Sequence, residues 1–474
     1  MLMLRRWSTR HARAWARVYS LATRAAAALA PALEGVSERR LEALLRPLER
    51  WSKQLFFDCR MCGQCVLSST GMTCPTNCGK RMRNGPCGGV RADGRCEVDP
   101  QMHCVWLEAA VGDTAMASGH TPQWTRRLPP IDARLQDRST WVGLIRPAVP
   151  ACSVPAPAGA GPAAEPVSPF EQACQSGRFL VTVEIAPPDS HDPSALLARA
   201  ERFRGLADAI NITDGAGANC HMSSAAAAAV LTAHGLQAVC QVGCRDRNRI
   251  ALQGDVLGAA ALGVRNVLCL TGDDVSQGDH PGARPVFDLD AVNLLAMLSG
   301  MAGRGQYASG RRLDAPVPLF LGATCNPFMP PHAERVANLQ RKIDAGARFI
   351  QTQFCFDLPL LERFMNEVVR RGLHRQARII VGLGVLSTAC GLRWMAEHVP
   401  GVHVPDTVTA RIAAATDQRA EGVRWCVQTL HALRTVEGVA GVHLMGHRNE
   451  ATLAQVIADA GLGERGAASS WACA

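Results

Sequence analysis

The sequence predicts a parallel (β/α)8 TIM barrel preceded by a small helical, cysteine-rich metal-binding domain, and three observations carry the prediction. From about residue 178 onward, eight short β-branched runs alternate with eight helical stretches, the pattern of parallel strands joined by crossover helices. Ahead of them, eight of the nineteen cysteines fall between residues 59 and 104. Between the two, the text around 147–169 turns to Pro and Ala (VPACSVPAPAGAGPAAEPVSP), an extended linker or strap. The expected division is N-terminal helices over 1–58, a cysteine module over 59–110, a linker over 111–177 and the barrel over 178–465.

Composition bounds the function. A chain of 474 residues, 47% hydrophobic and 19% charged, buries a large core and has room for two domains. No window holds about 18 uncharged apolar residues, so no membrane span is expected and the chain reads as a cytoplasmic enzyme. The net charge is +9, and residues 1–110 hold seventeen Lys and Arg against nine Asp and Glu, so +8 of it sits with the cysteines. Part of that charge offsets thiolates around a metal. The sharper reading is a docking face for an acidic electron carrier or redox partner. Nucleic acid is not an expected partner, because no aromatics interleave with the charge.

Residues 1–33 carry Arg5, Arg6, Arg10, Arg13, Arg17 and Arg24 and no acid, with Leu4, Trp7, Ala14, Val18 and Leu21 near helical spacing. This predicts an amphipathic helix packed on the cysteine module, although an Arg-rich, acid-poor start also resembles an organelle transit peptide. A second helix is expected from Ser37, its N-cap, to about Lys53. Leu41, Leu44, Leu45 and Leu48 would share one face, and Pro47 would kink the helix or end it early.

Cys59, Cys62 and Cys65 are spaced two residues apart, and Cys74, Cys78, Cys87, Cys96 and Cys104 follow. The segment is loop-rich, with Gly-Pro at 85–86 and Gly-Gly at 88–89, and too poor in apolar residues to fold by burial alone. Metal ligation is expected to do that work. Such steps resemble the opening of a ferredoxin-type iron-sulfur loop, with tetrahedral zinc as the alternative. Disulfides are disfavoured, since no clean secretory signal precedes the segment. Eight thiolates leave one cluster or two open. The remaining cysteines, such as Cys240, Cys269 and Cys355, lie mostly in apolar runs and read as small core residues.

In the second half, strands are expected at 179–185, 208–213, 237–242, 265–270, 317–323, 348–354, 378–384 and 438–444. Helices are expected at 192–205, 222–234, 248–262, 289–303, 333–346, 358–372, 388–398 and 418–436. A doubly wound open sheet is the competing topology, but no GxGxxG follows the first strand. In a barrel, chemistry sits at the C-terminal strand ends. There the sequence places Glu184 before Ala186-Pro187-Pro188, Thr213-Asp214 after the second strand and Thr271-Gly272-Asp273-Asp274 after the fourth. Thr324-Cys325-Asn326-Pro327 follows the fifth, and Gln351-Thr352-Gln353 falls in the sixth. Thr213 or Asp274 taken alone reads as a helix cap. Glu184 reads as an acid, since a carboxyl buried at the end of a central strand is poorly suited to capping.

These residues carry a family resemblance. VEIAPPD, INITDGA, LTGDD and the long block NLQRKIDAGARFIQTQFCFD closely resemble methylenetetrahydrofolate reductase over about residues 178–462. The resemblance implies a noncovalent FAD at the barrel mouth with a folate stacked on its ring. Glu184 would protonate the folate N10 and the flavin would deliver hydride to the exposed methylene. Asp273 would lie beside flavin and pterin, Gln353 would read the pterin edge, and Thr213 would touch the flavin ring. Gln241 and Gly272 fall at cofactor-side positions. Asn338, Arg341 and Lys342 match positions that hold the FAD tail, and an adjacent Arg-Lys pair suits pyrophosphate. Arg448 matches a substrate-side arginine suited to a folate carboxylate.

The sequence also departs from the family. Gln241 stands where His is frequent, Thr271 where Arg is common, and Asn326-Pro327 where aromatic and histidine contacts to FAD are frequent. Residues 37–110 resemble the cysteine-rich module fused to, or encoded beside, some bacterial enzymes of this family. The function implied is flavin-dependent reduction of 5,10-methylenetetrahydrofolate to 5-methyltetrahydrofolate, with the module as electron input or docking piece. The alternative is a folate-binding or methyl-transfer barrel without FAD. NADH, NADPH, ferredoxin or another carrier would supply the electrons, and no separate nucleotide fold selects among them.

Overall fold

A computed structural model of the chain describes residues 2–116, 126–146, 165–385, 387–446 and 448–463. The Pro/Ala stretch lies largely outside them. Eight strands, β1 Leu180–Ile185, β2 Ala209–Ile212, β3 Ala238–Gly243, β4 Asn266–Leu270, β5 Phe320–Cys325, β6 Phe349–Phe354, β7 Arg378–Gly384 and β8 Val439–Met445, close a parallel barrel in sequence order, β8 returning to β1. Each matches an expected run, because a strand buried on both faces is a continuous apolar stretch that helical periodicity cannot mimic.

Among the described residues, six helices precede the barrel: α1 Leu2–Arg10, α2 Ala12–Leu29, α3 Glu38–Phe57, α4 Val105–Met116, α5 Thr140–Ile145 and α6 Pro169–Gln175. The barrel helices are α7 Ser194–Glu201, α8 Ser224–Ala233, α9 Arg249–Ala261, α10 Ala291–Arg304, α11 His332–Asp344, α12 Leu358–Arg370, α13 Ala389–His398, α14 Asp406–Ala414, α15 Gln418–Leu433 and α16 Glu450–Asp459. Side-chain caps fix several starts: Asn248 accepts from Ile250 and Ala251 amides, Asp290 from Asn293, and Thr388 from Gly391. The large core lies between strands and helices. A second core closes the N-terminal end of the barrel, where Phe170 of α6 meets Phe320 and Phe349 edge-on. With that end plugged, the C-terminal end alone is left to hold a ligand.

The N-terminal layer departs from expectation. Residues 1–33 form two helices rather than one, broken at His11. α3 runs through Pro47 to Phe57. Pro47 and Ala43 are both exposed, so the carbonyl freed by the missing N–H is hydrated and the helix continues. Its buried line is Leu41, Glu49, Lys53 and Phe57, while Leu44 and Leu48 are 65% and 55% exposed. The polar pair turns inward because it meets α5. Glu49 accepts from Lys53 (2.6 Å), Ser139 (2.5 Å) and Thr140, and Lys53 also donates to Thr140 (2.8 Å).

Residues 126–146, expected as linker, are thus packed on the cysteine module. The Leu128 amide donates to Asn84, Asp132 to Gln64, and Asp137 to the Met61 carbonyl. Gly63 marks how close this contact is. Its φ is +71°, and a Cβ there would lie 2.1 Å from the Leu135 oxygen.

Candidate active site and thiolate centres

A cavity of about 1580 Å³ opens at the C-terminal end of the barrel. Glu184, Thr213, Gln241, Gly272, Asp273, Gln353 and Arg448 all line it, so the structure brings these seven expected residues to one mouth. Glu184, at the end of β1, accepts from Gln241 Nε2 of β3 at 2.9 Å. His443 of β8 stands with Nε2 3.7 Å from the same carboxylate oxygen. Below lies a polar layer that the sequence reading did not single out. His443 Nδ1 is 2.9 Å from Thr182 Oγ1 and 3.4 Å from Gln351 Nε2, and Gln351 exchanges two amide hydrogen bonds with Asn211. Gln351 Nε2 also donates to Thr182 Oγ1 at 3.2 Å, so the layer ties β1, β2, β6 and β8 together beneath Glu184. Polar residues at alternate positions inside otherwise apolar strands were the available signal.

The other mouth residues differ in how they are engaged. The Thr213 hydroxyl is buried without a hydrogen-bond partner, in a residue that lines the cavity. Asp273 is exposed and accepts from the Gly217 amide at 3.0 Å. Gln353 is half-buried, its carbonyl turned to the Phe354 amide. Arg448 is exposed, with φ +52°.

Of the trio expected at an FAD tail, Asn338 and Lys342 line the mouth but have their donors engaged by backbone carbonyls, and Arg341 lies behind it. Asn338 of α11 donates to the carbonyls of Asn84 (3.2 Å) and Gly85 (3.3 Å), and Arg341 donates to Gly85 (2.5 Å). Arg341 does not line the mouth. Burial pushes its guanidinium down to about 10. Lys342 reaches the Thr324 carbonyl at 2.5 Å and is also pushed down by burial. The ring-side residues fit a flavin, whereas Asn338 and Arg341 are engaged by the protein's own loop and Lys342 by the Thr324 carbonyl.

The eight cysteines divide in chain order. Cys59, Cys62, Cys65 and Cys74 line one small cavity with Lys53 and Arg83; Cys78, Cys87, Cys96 and Cys104 line a second with Lys80 and Glu97. Burial pushes the Cys78 thiol up to about 12 and that of Cys104 to about 11. Among the described residues, no group of three or more His, Cys, Asp or Glu converges to hold a metal ion, so the eight cysteines expected as ligands are not brought onto a common ion. The second cavity shares Lys80, Cys87, Gly89 and Glu97 with the barrel mouth. Lys80, fully buried, pairs with Glu97 at 2.6 Å and donates to the Gly272 carbonyl at 2.6 Å, joining the cysteine module to the loop that carries Asp273.

A profile of the methylenetetrahydrofolate reductase family matches residues 169–461, and one described as methylene-tetrahydrofolate reductase C terminal matches 39–133. A 5,10-methylenetetrahydrofolate reductase of Pectobacterium carotovorum subsp. carotovorum is 25% identical over 236 residues, 49% of this chain and 72% of that protein. Among solved structures, an uncharacterized protein from Clostridium thermocellum that binds two copies of 5-methyl-5,6,7,8-tetrahydrofolic acid is 14% identical. It covers 62% of this chain and 98% of that one, with a TM-score of 0.43. The EDTA monooxygenase of Chelativorans sp. BNC1 is 10% identical over 60% of this chain and 95% of that one, with a TM-score of 0.37. Among the described residues no helix is long and apolar enough to cross a membrane.

Proposed function

The chain belongs to the methylenetetrahydrofolate reductase family and is an oxidoreductase of that activity; on that premise we propose that the barrel mouth reduces 5,10-methylenetetrahydrofolate to 5-methyltetrahydrofolate, with Glu184 as the acid. The observation that carries this reading is the placement of Glu184. It stands at the mouth, accepting from Gln241 with the His443 ring 3.7 Å away, in a cavity that also holds Thr213, Asp273 and Gln353. A reduced flavin ring bound in that cavity supplies the hydride. Everything else falls to the chain's own groups. Glu184 gives its proton to folate N10 as the methylene–N10 bond breaks and its electron pair moves to nitrogen. The methylene carbon then carries the deficit that the hydride fills, so one proton and one hydride balance the product. Gln353 and Asp273 orient the pterin, and Arg448 meets a folate carboxylate.

The cysteine module supplies electrons through two iron-sulfur centres, one on each set of four thiols. What supports this is that each set of four surrounds one cavity. Three residues lie between Cys74 and Cys78, a span of at most about 14 Å. The inner set abuts the mouth through Cys87. An acidic carrier in the cytoplasm, docking on the basic N-terminal layer, is the donor this charge suits, in place of NADH or NADPH at the barrel.

The test is anaerobic. The purified chain, given a reduced dye as electron source and 5,10-methylenetetrahydrofolate, should form 5-methyltetrahydrofolate, identified by chromatography. Folate binding without methyl product would leave a folate-binding or methyl-transfer barrel instead. Iron with matching acid-labile sulfide is expected in the same preparation, and zinc without sulfide would sink the electron-transfer role.

A further inference from the structure

The tail positions of this barrel are filled from within. The loop from Arg83 to Gly88 of the cysteine module lies on α11 and on the β5 exit. Arg341 and Asn338 hold the Asn84 and Gly85 carbonyls, Arg335 donates to Cys87 at 2.7 Å, and Asn326 donates to Gly88 at 2.9 Å. Asp290, at the start of α10, accepts from the amides of both Arg83 (2.9 Å) and Asn84 (2.8 Å). The fit is tight on both sides. A Cβ on Gly85 would lie 2.3 Å from the Trp106 ring, and one on Gly401 would lie 2.2 Å from the Gly88 oxygen. Arg341, 2% exposed, does not reach the cavity, and Asn338, which does, spends its amide N–H groups on the loop carbonyls.

The sequence departures point the same way. Asn326, at a position where the family favours FAD contacts, bonds the loop and the Gly401 carbonyl. Thr271, where Arg is common, accepts from the Ala291 amide within the barrel. Asn338 and Arg341, kept from the family pattern, and Asn326, changed from it, thus serve one contact. We propose that the Arg83–Gly88 loop takes the place of the adenylate half of FAD, so that the mouth of this enzyme takes flavin mononucleotide and not the dinucleotide. The proposal rests on the reading of the mouth as a flavin and folate site. Space is not the reason, since about 1580 Å³ is ample; the groups that would hold a second phosphate and an adenosine are engaged by the loop. Lys342 still lines the cavity, one cation for one terminal phosphate.

The experiment is identification of the flavin released by denaturing the full-length protein purified anaerobically, using chromatography and mass spectrometry. It is followed by titration of flavin-stripped protein with flavin mononucleotide and with FAD. Mononucleotide in the purified protein, and at least tenfold tighter binding of it than of FAD, is the expected result. Stoichiometric FAD, or equal affinity for the two, overturns the proposal, as does a protein that binds neither. Titration with 5-methyltetrahydrofolate separates the two failures. Folate binding beside FAD sinks only the tail assignment, whereas loss of both flavin and folate binding sinks the reading of the mouth.

Discussion

Glu184 is held by side chains from two other strands, and that arrangement sets what its replacement should do. Gln241 Nε2 and the ring of His443 fix the carboxylate from β3 and β8. Glu184→Gln keeps size and an acceptor for Gln241 while deleting the proton. Methyl product is expected to fall by about 10²–10⁴-fold, the contribution of a positioned acid, with folate affinity and melting temperature unchanged. An undiminished rate in single-turnover assays would remove Glu184 from the role. Asp273 differs, being exposed and tied to a backbone amide. Asp273→Asn should weaken folate binding by the worth of one charge-assisted hydrogen bond, about 1.5–3 kcal/mol, read by titration with 5-methyltetrahydrofolate. Wild-type affinity in that variant would place the pterin elsewhere.

Among the elements, α3 shows how a polar pair can define a buried face. Burial by itself would raise the Glu49 carboxyl, but Lys53 and the hydroxyls of Ser139 and Thr140 outweigh it and hold the group below its ordinary value. A carboxyl depressed on folding contributes stability that is complete above its unfolded pKa and is lost as pH falls through the lower folded value. Acid below pH ~4 should therefore loosen α5 from α3 before it disturbs the barrel, measurable as hydrogen exchange in residues 139–145. Glu49→Ala leaves Lys53 buried without its counter-charge and should cost about 3–5 kcal/mol in the N-terminal layer. A change below 1 kcal/mol in chemical denaturation would show that the pair is solvated.

For the whole molecule, the consequence of two cavities is independence. Replacing Cys59, Cys62 and Cys65 with Ser should remove about half of the bound iron, leave the inner set of Cys78, Cys87, Cys96 and Cys104 loaded, and leave the barrel folded. Full loss of iron would mean a single shared centre, and full retention would mean these cysteines are not ligands. Yet the barrel is not indifferent to the module. Arg335, Asn338 and Arg341 are buried against carbonyls of residues 84–87. A barrel cut free of residues 1–146 exposes these groups and should melt below the intact chain.

The barrel was legible in the sequence because eight apolar β-branched runs and their amphipathic helices repeat a local pattern, and local pattern determines fold class. That Glu184, Thr213, Gly272, Asp273 and Gln353 share one mouth was legible too, since strand ends converge in any closed parallel barrel, while Gln241 and Arg448 were placed there by the family resemblance. Three things were decided only by tertiary structure. The inward face of α3 depended on what α5 offers to Glu49, not on which leucines lie four apart. The pairing of eight cysteines into two sets depended on turns through Asp58, Met61, Met72 and Arg81, all at positive φ, which spacing does not encode. The fate of Asn338 and Arg341 depended on a loop some 250 residues earlier in the chain. Their chemistry suits a phosphate or a backbone carbonyl equally well, and only the packing of one half of the molecule on the other selects between them.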